Sequence, residues 1–140
     1  MPGILIDTDV ILDLFFDRKP FSDYAANVIS LCESKTIQGF VTPVILSNVY
    51  YLLRRNSNHE KVIEKLNLLL SITEILIIDR NVIVQAINSK FADFEDALQN
   101  YAAEDEGNID TILTRNIKDF KNSNLGVLTP EEYLRTLTGR

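Results

Sequence analysis

The sequence is short of the residues on which several common chemistries depend. Its 140 positions contain one cysteine, Cys32, and one histidine, His59. A single cysteine excludes an intrachain disulfide, and the two residues together cannot build a Cys/His zinc cage from this chain alone. Serine–histidine and cysteine–histidine catalysis would have one candidate base between them. Glycine is scarce as well. The five glycines include no G-x-G or GK pair, which removes the phosphate-cradling loops of P-loop and dinucleotide-binding proteins. Basic charge is in the minority, with 14 Lys and Arg against 20 Asp and Glu and a net charge of −6, so broad electrostatic attraction to a nucleic-acid backbone is absent. Any polyanionic partner must meet local positive groups or bound cations.

Long apolar runs are missing too. MPGILIDTDV has no basic stretch before its short apolar burst, and LNLLLSITEILII is broken by Asn67, Ser71, Thr73 and Glu74 well short of the roughly 20 residues that a bilayer demands. A soluble, cytoplasmic protein with no membrane partner is the expectation. The length suits one domain spanning 1–140, because a chain of this size can bury roughly 68–70% of its unfolded surface.

What is present alternates. Ile4-Leu5-Ile6 reads as a strand buried on both faces that ends at Asp7, where a loop is expected to carry Asp7 and Asp9. A helix over 21–34 follows, with Ala25, Val28, Ile29 and Cys32 on one face. Gly39-Phe40-Val41 suggests a second strand, and Thr42-Pro43 supplies a cap and a first-turn proline for a helix to about Arg55. Further helices are expected over 59–70, 81–89 and 94–106, the last capped by Asp93 and closed by Gly107. Strands are expected over 74–79, 109–114 and 127–128. Thr129-Pro130-Glu131-Glu132 then reads as the capping box of a terminal helix. Alternating strands and helices argue for an α/β fold, a three-layer α/β/α sandwich with a mainly parallel sheet, whose ligands gather beyond the carboxyl ends of the strands.

That rule draws attention to the acids. Asp7 and Asp9 follow the first strand, Asp93 and Asp96 open a later helix, and Asp119 lies beyond the TRN segment that ends another strand. Carboxylates gathered at one sheet edge repel and take up protons, whereas a divalent cation removes the penalty and gains hard oxygen ligands. Mg²⁺ or Mn²⁺ is the natural inference, and such an ion supports phosphodiester hydrolysis without histidine or cysteine. Each acid also has an ordinary explanation. Asp7 could be a strand-exit residue, Asp93 a helix cap, and Asp96 an acid favoured by the helix dipole.

The segments ILIDTDVILDL, VTPVILSNVYYLLRR, DFEDALQNYAAEDEGNIDTILTRNIKDF and GVLTPEEYL resemble successive blocks of the PIN-domain family, in order along nearly the whole chain. The resemblance is closest to the bacterial branch that includes VapC-type toxins. It implies an Mg²⁺- or Mn²⁺-dependent endoribonuclease, with Asp7, Asp96 and Asp119 as metal ligands. Thr114 and Asn116 would assist a water or a substrate phosphate, and Asp9 and Asp93 would stand behind the ligands. It also implies an RNA substrate, a small antitoxin protein as partner and a homodimer. One position departs from the pattern: many PIN nucleases carry a glutamate where this chain has Asn48, which offers a carbonyl oxygen but no charge. Asp9, where asparagine is more usual, partly restores acidity. Asn48→Glu is expected to strengthen metal binding if the site misses that acid.

Two other readings remain open at this point. The departure at Asn48 supports a catalytically silent PIN domain that binds RNA or protein. A strand followed by D-x-D is also similar to the aspartyl-nucleophile phosphatases of the haloacid dehalogenase superfamily, which want a lysine in the site. Basic candidates for phosphate contact are Arg18-Lys19, Arg54-Arg55, Arg115, Lys118 and Lys121, although arginines at a helix end also complement its dipole. Tyr50 and Tyr51 could stack on a base or serve as core or dimer surface. Cys32 reads as a buried small hydrophobe and His59 as an exposed residue at a helix start.

Overall fold

A computed structural model describes residues 1–138; the last two positions of the expected 1–140 unit lie outside that range. The chain opens with strand β1 (Gly3–Ile6) and helices α1 (Thr8–Phe15) and α2 (Phe21–Glu33), then β2 (Gln38–Val41), α3 (Pro43–Arg54) and α4 (His59–Ile72). Strand β3 (Thr73–Ile75), α5 (Arg80–Ile87), α6 (Phe94–Glu106), β4 (Ile109–Leu113), a 3-10 turn (Ile117–Phe120), β5 (Gly126–Leu128) and α7 (Pro130–Thr138) complete it. All strand pairs are parallel, in the order β3-β2-β1-β4-β5.

Ile4, Leu5 and Ile6 are fully buried, as a central parallel strand covered on both faces requires. Removal of each such side chain from water is worth about 1.5–3 kcal/mol. Helices α1 to α4 and α7 pack among themselves, while α5 and α6 pair separately. This is the outcome of crossovers that run outward from β1 through β2 to β3 and then return to β4; parallel connections of one hand place the helices of the two directions on opposite faces. The result is the expected three-layer α/β/α arrangement. Gly39 is needed because a Cβ there would sit 2.7 Å from the Cys32 sulfur. Cys32 is buried, and burial pushes its thiol up to about 12, which makes it a packing residue.

Most caps form as the sequence indicates. Thr42 Oγ1 accepts from Ile45 N, Asp93 from Asp96 N, and Thr129 and Glu132 satisfy each other's backbone amides. Gly107 closes α6 in the left-handed region, at φ 87°.

Two local expectations are corrected. No loop follows β1: Asp7 caps α1 directly, its side chain accepting from Thr8 N at 2.8 Å, and Asp9 lies inside the first turn of that helix. The third strand ends at Ile75 instead of Asp79, because the chain leaves the sheet after Leu76 N donates to Val41 O and Asp79 is used to cap α5. Among the described residues no helix is long and apolar enough to cross a membrane.

Candidate active site

The sheet reverses its winding between β1 and β4, the position at which open α/β sheets present a crevice. Register makes that crevice chemical. Ile6 pairs with Leu113, so Asp7 and Thr114 are the next residues out of neighbouring strands, and Asp7 N donates to Leu113 O at 3.0 Å. Thr114, fully buried, donates its hydroxyl to Asp7 Oδ2 at 2.9 Å and accepts from Asn116 N at 3.0 Å. Asn116 in turn donates Nδ2 to Asp9 Oδ2 at 3.3 Å, and Arg115 N donates to the same oxygen at 3.0 Å. The TRN segment therefore works as a frame that aims Asp7 and Asp9.

The opposite wall comes from α6, with Asp93, Glu95, Asp96 and Gln99, and from Asn48 of α3. Asp119, on the 3-10 turn, also faces the cleft, which measures about 420 Å³. Asp7, Asp9, Asp96, Asp119, Asn48, Asn116 and Asp93 thus line one space, and Thr114 lies directly behind Asp7. Among the described residues, no trio of histidine, cysteine, aspartate or glutamate is already drawn into a metal cage. The acids converge on a basin without closing on a point.

The charge state of that basin is unbalanced. Burial, reinforced by neighbouring Asp9 and Asp119, raises Asp7 to about 6 against the hydrogen bonds from Thr114 and Thr8. Asp96 rises to about 7, chiefly through burial and then through the charges of Asp93, Asp7, Asp119 and Glu95. Asp9 is raised as well, again mainly by burial. Three buried oxygens on cleft-lining residues, Asp9 Oδ1, Gln99 Oε1 and Thr8 Oγ1, have no hydrogen-bond partner, although Gln99 is only 3% exposed. Hard oxygen donors lacking partners, among carboxylates that repel one another, fit a divalent cation such as Mg²⁺ or Mn²⁺.

The basic candidates divide. Arg18 and Arg115 line the cleft, but both grip Asp13, which is 1% exposed, through Arg18 Nε at 2.8 Å and Arg115 Nε and Nη2 at 2.6 and 3.0 Å. Arg115 also stacks 4.0 Å from the Phe21 ring centroid. Arg54 donates to Ser57 O beside its own helix end, as the dipole reading expects. Lys118 and Lys121 are exposed, and no lysine lines the cleft among the described residues. The phosphatase reading therefore lacks the lysine it wants in the cleft lining. His59 does open α4, where Nδ1 lies 2.8 Å from the Tyr50 hydroxyl; Tyr51 is exposed beside them.

Sequence reasoning did not single out three residues of this site. Asp13, four positions after Asp9 on the same helix, sits among apolar neighbours; its burial depends on an arginine 102 residues away. Gln99 could have been found as the residue one turn after Asp96 on the helix face turned inward. Glu95 receives the Asn48 amide at 2.7 Å.

The PIN domain family model matches residues 3–118, and the chain belongs to that family. It is 26% identical over 135 residues to Ribonuclease VapC1 of Aquifex aeolicus (strain VF5), a match covering 93% of this chain and 92% of that protein. Among solved structures it is similar to a toxin–antitoxin complex from Klebsiella pneumoniae, with 22% identity, a TM-score of 0.69 and coverage of 91% of this chain and 97% of the other. It is also similar to VapC20 of Mycobacterium tuberculosis, described as a toxin that cleaves the sarcin–ricin loop, with 17% identity, a TM-score of 0.67 and coverage of 87% and 95%.

Proposed function

We propose that this chain, as a single domain, is an Mg²⁺- or Mn²⁺-dependent endoribonuclease of the VapC-like toxin branch. One observation carries the reading: Asp7, Asp96 and Asp119, from three separate elements, face one cleft, where burial and neighbouring carboxylates raise Asp7 to about 6 and Asp96 to about 7. Asp7, Asp96 and Asp119 would hold the cation, with the unpartnered oxygens of Asp9 and Gln99 close behind. The bound cation supplies Lewis-acid charge for phosphodiester hydrolysis. Thr114 fixes the Asp7 carboxylate, Asn116 and the Arg115 amide fix Asp9, and Asp93 orders the first turn of α6 on which Asp96 sits. Arg18, held over the cleft by Asp13 and the Asp9 carbonyl, is placed to take a backbone phosphate of RNA.

The names of the relatives, a ribonuclease, a toxin–antitoxin complex and a toxin that cleaves the sarcin–ricin loop, support RNA as substrate and an antitoxin protein as partner; to these the proposal adds masking of the cleft by that antitoxin, a homodimer and a cytoplasmic location. The test is cleavage of RNA by the purified protein with Mn²⁺ or Mg²⁺, yielding 5′-phosphate and 3′-hydroxyl ends, and its loss in Asp7→Asn and Asp96→Asn. Undiminished cleavage by both folded variants refutes the assignment. Asn48 favours one second reading, a silent PIN domain that binds RNA or protein. A folded chain that binds Mn²⁺ weakly and cuts no RNA would establish it.

A further inference from the structure

The middle helix of this chain brings Asn48 to the cleft in place of an acid, yet the space beside it is not without charge. Asn48 Nδ2 donates to Glu95 Oε1 at 2.7 Å, across 47 residues of sequence and between α3 and α6. Glu95 stands in the first turn of α6, where a carboxylate is favoured by the helix dipole with no partner at all and could extend into solvent. It stays solvent-exposed, yet its carboxylate is drawn sideways along the rim of the cleft, next to Asp96, by a charge-assisted hydrogen bond. Gln99, almost wholly buried with its Oε1 unpartnered, lines the same wall and points independently to a ligand in this space.

We infer that Glu95, aimed by the Asn48 amide, supplies the metal basin with the carboxylate that α3 lacks, so that the acid of the middle helix has been transferred to α6. This rests on the nuclease reading above. Asn48 is then a positioning residue, since its own contribution is to hold Glu95. The consequence for Asn48→Glu reverses the expectation from sequence: a second carboxylate would face Glu95 at hydrogen-bond distance, and the two would repel.

The experiment is Mn²⁺ titration of the full chain, with free Mn²⁺ read by electron paramagnetic resonance and folding checked by thermal melting. Glu95→Gln is expected to weaken Mn²⁺ binding about tenfold or more, within the range for losing a group that ligates a metal or orients its ligands. Asn48→Ala should show a smaller loss, and Asn48→Glu no gain. The double variant Asn48→Glu/Glu95→Gln, which returns a single acid to α3, should recover most of the affinity. Wild-type affinity in Glu95→Gln, a gain in Asn48→Glu alone, or a double variant no better than Glu95→Gln would overturn the inference. Asp7→Asn and Asp96→Asn separate the two levels: if they lose Mn²⁺ while Glu95→Gln keeps it, only the role of Glu95 fails. If all three keep it, the nuclease reading fails with it.

Discussion

The two ends of the sheet both carry acids beside a cavity, but they use them in opposite ways. Beside the amino ends of β1, β2 and β4 a groove of about 670 Å³, larger than the cleft, is bordered by Glu74, Asp79, Asp105 and Glu106. Those acids are exposed, and three have local partners: Asp79 caps α5, Asp105 accepts from Asn81 and Gln85, and Glu106 accepts from Asn108 N. At the carboxyl ends the cleft is smaller, yet Asp7 is buried, Asp96 is half-buried, and buried oxygens lack partners. Size and acid count do not mark a site. Acids whose desolvation the protein itself leaves uncompensated do, because folding tolerates such a cost where a ligand offsets it.

The largest effect expected from that contrast is on cleavage. Asp7→Asn or Asp96→Asn should lower the RNA cleavage rate by at least ~10²-fold, the scale of several kcal/mol of lost electrostatic stabilisation. Asp79→Asn and Asp105→Asn, at the other end, should leave the rate within about twofold. Equal losses at both ends, measured on folded protein, would erase the distinction.

Asp13 gives the next effect, and it shows how the carboxyl end is kept rigid. Two guanidinium groups converge on a buried carboxylate, so Asp13→Asn leaves both short of an anion. Removing one partner of a fully buried pair costs about 3–5 kcal/mol; because the Arg18 and Arg115 side chains are 41% and 30% exposed, about 2–3 kcal/mol is expected in urea denaturation. A loss below about 0.5 kcal/mol would mean that the clamp contributes nothing to folding.

How much of this could be read from the sequence depends on the range of the interaction. The caps at Thr42, Asp93 and Thr129 and the buried Ile4-Leu5-Ile6 strand rest on neighbours within a turn or on local hydrophobicity, and they appear where the sequence places them. The convergence of Asp7, Asp96 and Asp119 on one cleft was likewise legible, through strand exits and the family pattern. Helix α1 was missed because Asp7 serves as strand exit and helix cap at once, leaving no polar gap to announce it. ILII suggests a longer third strand than exists, since apolar runs do not reveal where pairing stops. The Asp13 clamp and the Asn48–Glu95 bond join residues 102 and 47 positions apart, a distance over which periodicity carries no information.

A third effect concerns pH. Asp7 and Asp96 titrate near 6 and near 7 in the folded protein against 3.8 in the absence of burial, so the folded state binds their protons more tightly than the unfolded state does. The stability this provides is complete below about pH 4 and disappears as pH rises through 6 to 7. In EDTA, the melting temperature of Asp96→Asn should therefore exceed that of the wild type by a few degrees at pH 8, with the gap closing towards pH 4. Mn²⁺ should reverse the order at pH 8 by stabilising only the wild type. A gap that is constant across this pH range would show that Asp96 is not strained.

The smallest effect tests the quiet end of the sheet. Asp79 Oδ1 accepts from Val82 N at 3.0 Å, an ordinary N-cap on a surface helix, and Asp79→Ala should cost ~1 kcal/mol. Because the cap serves α5 alone, neither Mn²⁺ affinity nor cleavage should change, and the stability loss should not vary with the pH-dependent term that Asp96 introduces. A shift in Mn²⁺ affinity in this variant would mean that α5 and α6, which pack against each other, transmit strain from one end of the sheet to the other. The acids of the amino end would then belong to the same energetic unit as the cleft.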